Sequence, residues 1–436
     1  MKTRADVCVV GGGAAGILAG LSAKRRLKAL GCSGSVLILE RNRMLGRKLS
    51  ITGKGRANLT NARTIDEFIE AFGPSGKFLY PAFRSFFSAD LAVLLSEAGL
   101  QLKTERGGRM FPVTDRAQDV VQALGLLLAR ESVEVLYGAR VHSVDGEAGA
   151  WNVGTESGAS IECSALVVTT GGKSYPGTGS TGDGYRLVER LGHHVGPLSA
   201  GLVPLQCSDE WLKGLAGVSL EGVAVEAWDG SRMLDRRQGE IMVTERGIGG
   251  PAVLSLSLAV TPVLAEGKRV TLRLDLRPQQ THADVVHAME TCRNADEILT
   301  YVSRFLPRRI SARFMQVWGI EGMGQALLPR KKLAEVARSI KGTELTCTAA
   351  DALSSAIVTQ GGVLLREVDP RSMCSKLLPG LFFAGELLDL QAVTGGYNLQ
   401  AAFSTGFLAG KCAAEYVAKS TNSDKLYKEV TTTWPK

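Results

Sequence analysis

Apolar positions along this chain switch between a period of two and a period near three and a half, and each switch marks an element. Val7 to Val10 are four apolar residues in a row, as in a short buried strand. Helical spacing follows from Ala14 to about Leu30, and a second apolar strand runs from Val36 to Leu39. The spacing predicts helices at 89–98 and 117–130, then antiparallel alternation at 134–137 and 139–144. Strand character continues from Trp151 to Val168. From about Gly196 to Leu276 short alternating strands are separated by turns such as Trp228-Asp-Gly230. Helical periodicity takes over between Gln280 and Lys341, strands return at 356–365 and 381–383, and a last helix runs to about Ala418. The order is that of an α/β chain whose outer parts are interrupted by a β-rich insertion, 196–279, and a helical one, 280–344. Together the two insertions are expected to form a cap.

Where the first strand meets the first helix, Gly11, Gly13 and Gly16 fill the three places of a G-x-G-x-x-G turn, with Ala15 inside it. The first glycine allows the tight turn, the second lets a pyrophosphate reach the backbone, and the third lets helix and strand pack closely. Free N–H groups and the helix dipole then face the phosphates. Glu40 ends the second strand at the distance where a ribose hydroxyl acceptor is expected. The basic run from Arg41 to Arg63 holds seven cations and no acid. Arg41, Arg47 and Lys48 are its candidate contacts to a phosphate. Two later apolar strands also run into glycines, one ending in Gly171-Gly172 and the other in Ala384-Gly385-Glu386. Gly395-Gly396 opens the last helix and forms another anion-facing helix start. Helix starts of this kind near both chain ends suit a ligand with an anionic middle and a polar ring, the shape of FAD.

The 436 residues leave room for two or three domains and a large core. A net charge of +8 favours anionic ligands. Because the cations are dispersed and form no basic tail, a nucleic-acid partner is not expected. The eight cysteines form no C-x-x-C pair, which argues against a zinc ribbon or a dithiol centre, and no metal site is expected. With no signal-peptide pattern and no apolar run of membrane-spanning length, the expectation is a cytoplasmic protein without a membrane partner.

Four stretches resemble the BaiN-like (YhiN-type) NAD(P)/FAD-dependent oxidoreductases: Gly11 to Gly16, Gly46 to Asn61, Thr170 to Gly184, and Phe383 to Glu386 with Thr394 to Gln400. The resemblance spans nearly the whole chain. It implies a Rossmann-like FAD-binding domain built from both ends, 1–195 and 345–436, with a β-barrel-like and a helical part inserted. It also implies that Glu40 holds the adenosine ribose, Lys48 lies near the phosphates and Val141 meets the adenine edge. Gly385 and Glu386 would flank the ribityl chain, and Asn398 and Leu399 would face the pyrimidine edge of the flavin. This chain departs from the family's usual Thr-His-aromatic-Gly-Ile-Ser-Gly-Pro, reading Thr244-Glu-Arg-Gly-Ile-Gly-Gly-Pro251. Ala57 replaces a common cysteine, and Ser372-Met-Cys-Ser-Lys376 replaces the usual Thr-Met-Glu-Ser-Lys.

The expected activity is that of a reductase in which NADH or NADPH reduces FAD and the flavin then reduces an organic small molecule, such as an activated C=C of an enone. Tyr397 and Tyr175 are the candidate proton donors, each in a glycine-rich segment. The alternatives are an oxidase of a small amine that uses O2, and a flavin-bound RNA-associated protein. His193 and His194 have no acid beside them in sequence and read as part of a surface loop.

Overall fold

Val7 to Val10 sit at the centre of a parallel sheet: Val7 pairs with Val36 on one side and with Ala165 on the other. A strand with neighbours on both sides and helices over its faces has no wet face, so its residues are apolar without alternation. The computed structural model describes residues 2–432. They fall into two units, Met1–Leu198 with Val358–Lys436, and Ser199–Ile357.

In the first unit the parallel strands run in the order Glu134–Tyr137, Val36–Glu40, Lys2–Val10, Ser160–Val168 and Leu381–Phe383. The strand Ser160–Val168 is shared along its free side. Its first half pairs antiparallel with Ala150–Thr155, which pairs in turn with Val141–Glu147, and its last three residues pair with Leu381–Phe383. Helix Ala14–Ala29 packs on helix Tyr397–Thr432 at backbone distance. A Cβ on Gly406 would lie 2.1 Å from the Ala15 carbonyl oxygen, and one on Gly410 would lie 2.0 Å from that of Ala19. Ser22 Oγ donates to the Phe407 carbonyl at 2.8 Å across the same contact.

The second unit is a closed six-stranded barrel, in the order Leu205–Cys207, Gly247–Gly249, Arg232–Val243, Ser219–Asp229, Val270–Asp275 and Thr343–Ala350. The four helices between His282 and Gly342 lie in sequence between its last two strands. Their buried residues, such as Phe314 and Val336, share one core with Leu272 and Leu345 of the barrel. Two expectations are corrected here. The β-rich and helical insertions are one unit, and residues 345–357 belong to it because Thr343–Ala350 closes the barrel against Leu205–Cys207. Pro251–Ala265, expected as strand, is a helix; its residues are apolar nearly all round, a pattern whose period does not separate helix from strand.

The stretch Gly73–Glu97 is apolar and long enough, by length and composition, to cross a membrane, contrary to the expectation that no such run exists. Extended backbone at Phe86 and Phe87 interrupts it, which leaves Tyr80–Ser85 and Ser88–Glu97 as separate helices.

Candidate functional site

Parallel strands that end in register deliver their following loops to one edge. Val10 and Phe383 both pair with Val168, so the Gly11 turn, the loop from Thr169 and the segment Ala384–Glu386 leave the sheet side by side. The carboxyl edge of such a sheet is where open α/β folds bind ligands. The three loops are tied together: Thr169 Oγ1 donates to the Gly11 carbonyl at 2.8 Å, and a Cβ on Gly385 would lie 2.8 Å from that of Ala15. Gly16 has no room for a side chain, since its Cβ would sit 1.8 Å from the Gly11 oxygen. At Gly13 the reverse holds, with nothing within 4 Å, and the helix it opens has no side-chain cap. The first N–H groups of that helix therefore have no side-chain cap.

Glu40 is 6% exposed. Its Oε2 accepts from the Gly12 N–H at 2.8 Å, and its Oε1 accepts from the N–H and Nδ2 of Asn42, both at 2.7 Å. The glycine turn is thus braced by the acid expected to serve a ribose. The basic run that follows is mostly matched by acids from elsewhere in the chain. Arg41 donates to Thr181 Oγ1 at 2.7 Å and pairs with Asp183 at 3.0 Å, and Arg56 pairs with Glu105 and Asp115. Arg41 thus fastens the Thr170–Gly184 loop. Arg47, exposed, donates to Asn42 Oδ1 at 3.1 Å. Lys48 Nζ lies 2.6 Å from both Ser174 Oγ and Glu386 Oε2. Glu386 Oε1 accepts from Ser174 Oγ at 3.0 Å and from the Thr359 N–H at 2.8 Å. Ser174 and Thr359 complete this cluster and were not among the expected residues; each lies beside a glycine pair, the one signal in sequence that marks them.

A second group forms at the start of the last helix. Gly396 is left-handed (φ +94°), and a Cβ there would lie 2.5 Å from the Thr60 carbonyl and 3.0 Å from Asn58 Oδ1. Asn61 Nδ2 donates to the Gly395 carbonyl at 3.0 Å. The Asn398 side chain exchanges two hydrogen bonds with the Ala392 backbone, at 2.8 and 3.0 Å, which fixes the loop before the helix; Leu399 beside it is half-buried. Asn58 Oδ1, Thr60 Oγ1, Gln391 Oε1 and Gln400 Oε1 are buried here without a hydrogen-bond partner, as is Thr170 Oγ1 at the end of its strand. Such groups are uncommon in a finished interior.

The family model for the HI0933-like protein Rossmann domain matches residues 5–412. The chain belongs to the HI0933-like Rossmann-domain family. It is a flavin-binding oxidoreductase. Among relatives, it is 31% identical to a 3-dehydro-bile acid delta(4,6)-reductase of Clostridium scindens, covering 93% of this chain and 98% of that one. It is 28% identical to a ribosomal RNA dihydrouridine synthase of Escherichia coli, covering 96% and 100%. In fold it is similar to a 3-ketosteroid delta1-dehydrogenase from Sterolibacterium denitrificans, with a TM-score of 0.53 at 13% identity over 96% of this chain and 100% of that one.

The residues of this HI0933-like chain fit an elongated dinucleotide. The uncapped helix start at Gly13 meets the need of a pyrophosphate for free N–H groups. The unpaired oxygens of Thr170, Asn58, Thr60, Gln391 and Gln400 are the polar partners that a bound group with N–H and O–H functions would complete. Val141 begins its strand at the edge of the sheet's antiparallel part and is buried.

The two tyrosines differ sharply. Tyr397 is 9% exposed, its ring meets Phe68 edge-on at 4.7 Å, and burial raises its hydroxyl pKa. Tyr175 is 38% exposed and holds a left-handed backbone (φ +50°), a strained state that non-glycine residues adopt where surroundings enforce it. The histidine pair lies in a loop as expected, with His194 exposed, but His193 is not at the surface. His193 is buried, with Nδ1 3.1 Å from Glu367 Oε2 and Nε2 2.9 Å from Ser375 Oγ. His194 Nδ1 lies 2.7 Å from Glu367 Oε1. The acid was invisible locally because it lies 174 residues from His193. Ser375 Oγ already accepts from the N–H groups of Leu377 and Leu378, so its proton goes to Nε2 and His193 is neutral, donating from Nδ1. Burial lowers its pKa accordingly.

Proposed function

We propose that the protein is an FAD-dependent reductase that draws on NADH or NADPH and reduces a C=C bond conjugated to a carbonyl, with a steroid-like enone as the leading substrate class. FAD, when bound, supplies hydride transfer to and from the substrate side. The observation that carries the reading is the pairing, within one unit, of an uncapped glycine helix start with a second helix start ringed by unpaired polar oxygens. In this reading the N–H groups after Gly13 bind the pyrophosphate and Glu40 accepts from the ribose. Gly385 and Glu386 flank the ribityl chain, and the backbone at Gly396, Asn398 and Leu399 faces the flavin's pyrimidine edge. Lys48, already held between Ser174 and Glu386, sets positive charge beside the cofactor. Tyr175 is the better proton donor of the two tyrosines, since Tyr397 is packed against Phe68.

The names of two relatives support the substrate class. Reduction of the delta(4,6) bonds of a 3-dehydro bile acid and formation of dihydrouridine both add hydrogen across a C=C conjugated with a carbonyl. The Escherichia coli name favours a second reading, in which that bond belongs to a uracil base of RNA. An oxidase reading has no such support.

Anaerobic stopped-flow tests the proposal. NADPH or NADH should bleach the flavin rapidly, and a 3-oxo-4-ene steroid should restore its colour faster than air does. Reoxidation by air at the catalytic rate would overturn the reductase reading. Reoxidation by uridine-containing RNA fragments, and not by the steroid, would move the substrate to the second reading.

A further inference from the structure

Within the first unit, one charged cluster ties four separate stretches of chain together. Glu386 accepts from three donors: its Oε2 from Lys48 Nζ at 2.6 Å, and its Oε1 from Ser174 Oγ at 3.0 Å and the Thr359 N–H at 2.8 Å. An ammonium can only donate, so Ser174 Oγ accepts from Lys48 at 2.6 Å and gives its own proton to Glu386. Thr359 Oγ1 fixes the backbone behind the serine, accepting from the N–H groups of Lys173 at 2.8 Å and Ser174 at 3.2 Å. Gly172 lets these groups converge, because a Cβ there would lie 2.3 Å from Thr359 Oγ1 and 2.8 Å from Glu386 Oε1. The Lys48 and Glu386 side chains are only 23% and 20% exposed. Among the described residues each is the other's sole ion-pair partner.

We propose that Lys48 and Glu386 act on the flavin as one neutral pair, in which Lys48 is a positioning residue that holds Glu386 and the Gly385 segment in place. The positive charge that Lys48 brings to the cofactor is offset 2.6 Å away, so the flavin meets no free anion. Reduction makes the flavin more negative. A lone carboxylate beside it opposes reduction, a lone ammonium favours it, and the two together nearly cancel. Removing one member of a partly buried pair strands the other charge, whereas removing both strands nothing. The inference rests on the proposed placement of Gly385 and Glu386 along the ribityl chain, and on neither the hydride donor nor the substrate.

The test uses the full chain carrying Lys48→Met, Glu386→Gln or both. Its readouts are the flavin midpoint potential, the Kd for FAD and the melting temperature without flavin. Lys48→Met should lower the potential, Glu386→Gln should raise it, and the double variant should return close to the parent value. FAD binding should weaken about tenfold in each single variant and no further in the double. Lys48→Arg keeps the charge, so its potential should stay at the parent value. If Lys48→Met retains no flavin, return of flavin in the double variant supports the pair and its continued absence overturns it. The proposal also fails if both single variants shift the potential the same way, or if their losses of affinity multiply in the double, which would make the two residues separate ligands. Unchanged potentials overturn it as well, and the melting temperatures then tell why. Recovery in the double variant shows a pair that lies away from the flavin and defeats the placement of Glu386; no recovery defeats the pair itself. A parent flavin that NADPH bleaches and no enone reoxidises defeats the substrate class and leaves the pair standing.

Discussion

Around the Gly11–Gly16 turn the side chains are matched and only the helix N–H groups after Gly13 are left uncapped: Glu40 accepts from the Gly12 and Asn42 N–H groups, Thr169 Oγ1 donates to the Gly11 carbonyl, and of the buried side-chain oxygens nearby Thr170 Oγ1 has no partner. Around Gly396 the side chains are not matched, and four buried side-chain oxygens have no partner. Leaving a buried polar group unmatched costs about 1–3 kcal/mol each. The side chains around the first turn are therefore held by their own partners, whereas in the proposed reading the second helix start is completed by a bound flavin. In the proposed reading the difference separates an end that holds the cofactor from an end where the chemistry takes place.

The comparison can be broken most forcefully at the first turn. Gly16→Val would drive a side chain into the Gly11 carbonyl, an overpacking whose cost should exceed about 3 kcal/mol. The expected outcome is loss of soluble, flavin-containing protein, read from the flavin absorbance per chain; normal yield with bound flavin would show that the turn is not rigid. At the other end, Gly396→Ala imposes a left-handed alanine beside the Thr60 carbonyl, at about 1–3 kcal/mol. Its melting temperature should drop and flavin should wash out on dialysis, while unchanged flavin retention would count against a ligand role for this helix start.

Thr60→Val and Gln400→Leu sharpen the contrast through opposite signs. Each removes an unmatched oxygen; Thr60→Val should raise the stability of the flavin-free protein by about 1 kcal/mol, Gln400→Leu by less because it also removes the Gln400 Nε2 bond to Ser404 Oγ, and both should weaken flavin binding. If both forms lose stability alike, those oxygens are ordinary structural groups.

The smallest effect concerns pH. Burial lowers the His193 pKa. Burial alone would raise that of Glu367, but hydrogen bonds from the His194 N–H and from both imidazoles outweigh it and lower it. Both folded values lie below their unfolded ones, so this cluster's contribution is complete above the unfolded histidine pKa, about 6.5, and is lost as pH falls through the folded values. Melting temperature should decline on acidification from pH 7, and His193→Gln should flatten the decline. A steeper decline in the variant would refute the neutral assignment.

Sequence made legible whatever is local and periodic. The glycine turn, its acid and the return of the chain to the first sheet are each written in a few adjacent residues. Pairings across long separations were not: Lys48 and Glu386 are 338 residues apart, and nothing near either reveals the other. Tyr397 looked available because glycines flank it, yet the aromatic Phe68 that covers it comes from a distant helix. Pro251–Ala265 misled for another reason, since a buried apolar run carries no period; only Gly250 with Pro251 at its start announced a helix. The barrel's closing strand was assigned to the wrong side of a boundary because closure is a property of pairing, which periodicity does not encode.

The contact between the first and last helices has a consequence for biosynthesis. Ser22 reaches a carbonyl 385 residues further along the chain. At the pace of about 5–20 residues per second at which ribosomes add residues, the first helix waits roughly 20–80 s for the segment that covers it. During that interval the glycine turn and the apolar strands behind it stand without their final partner. The packing of these two helices is therefore completed only after the last helix has been synthesised.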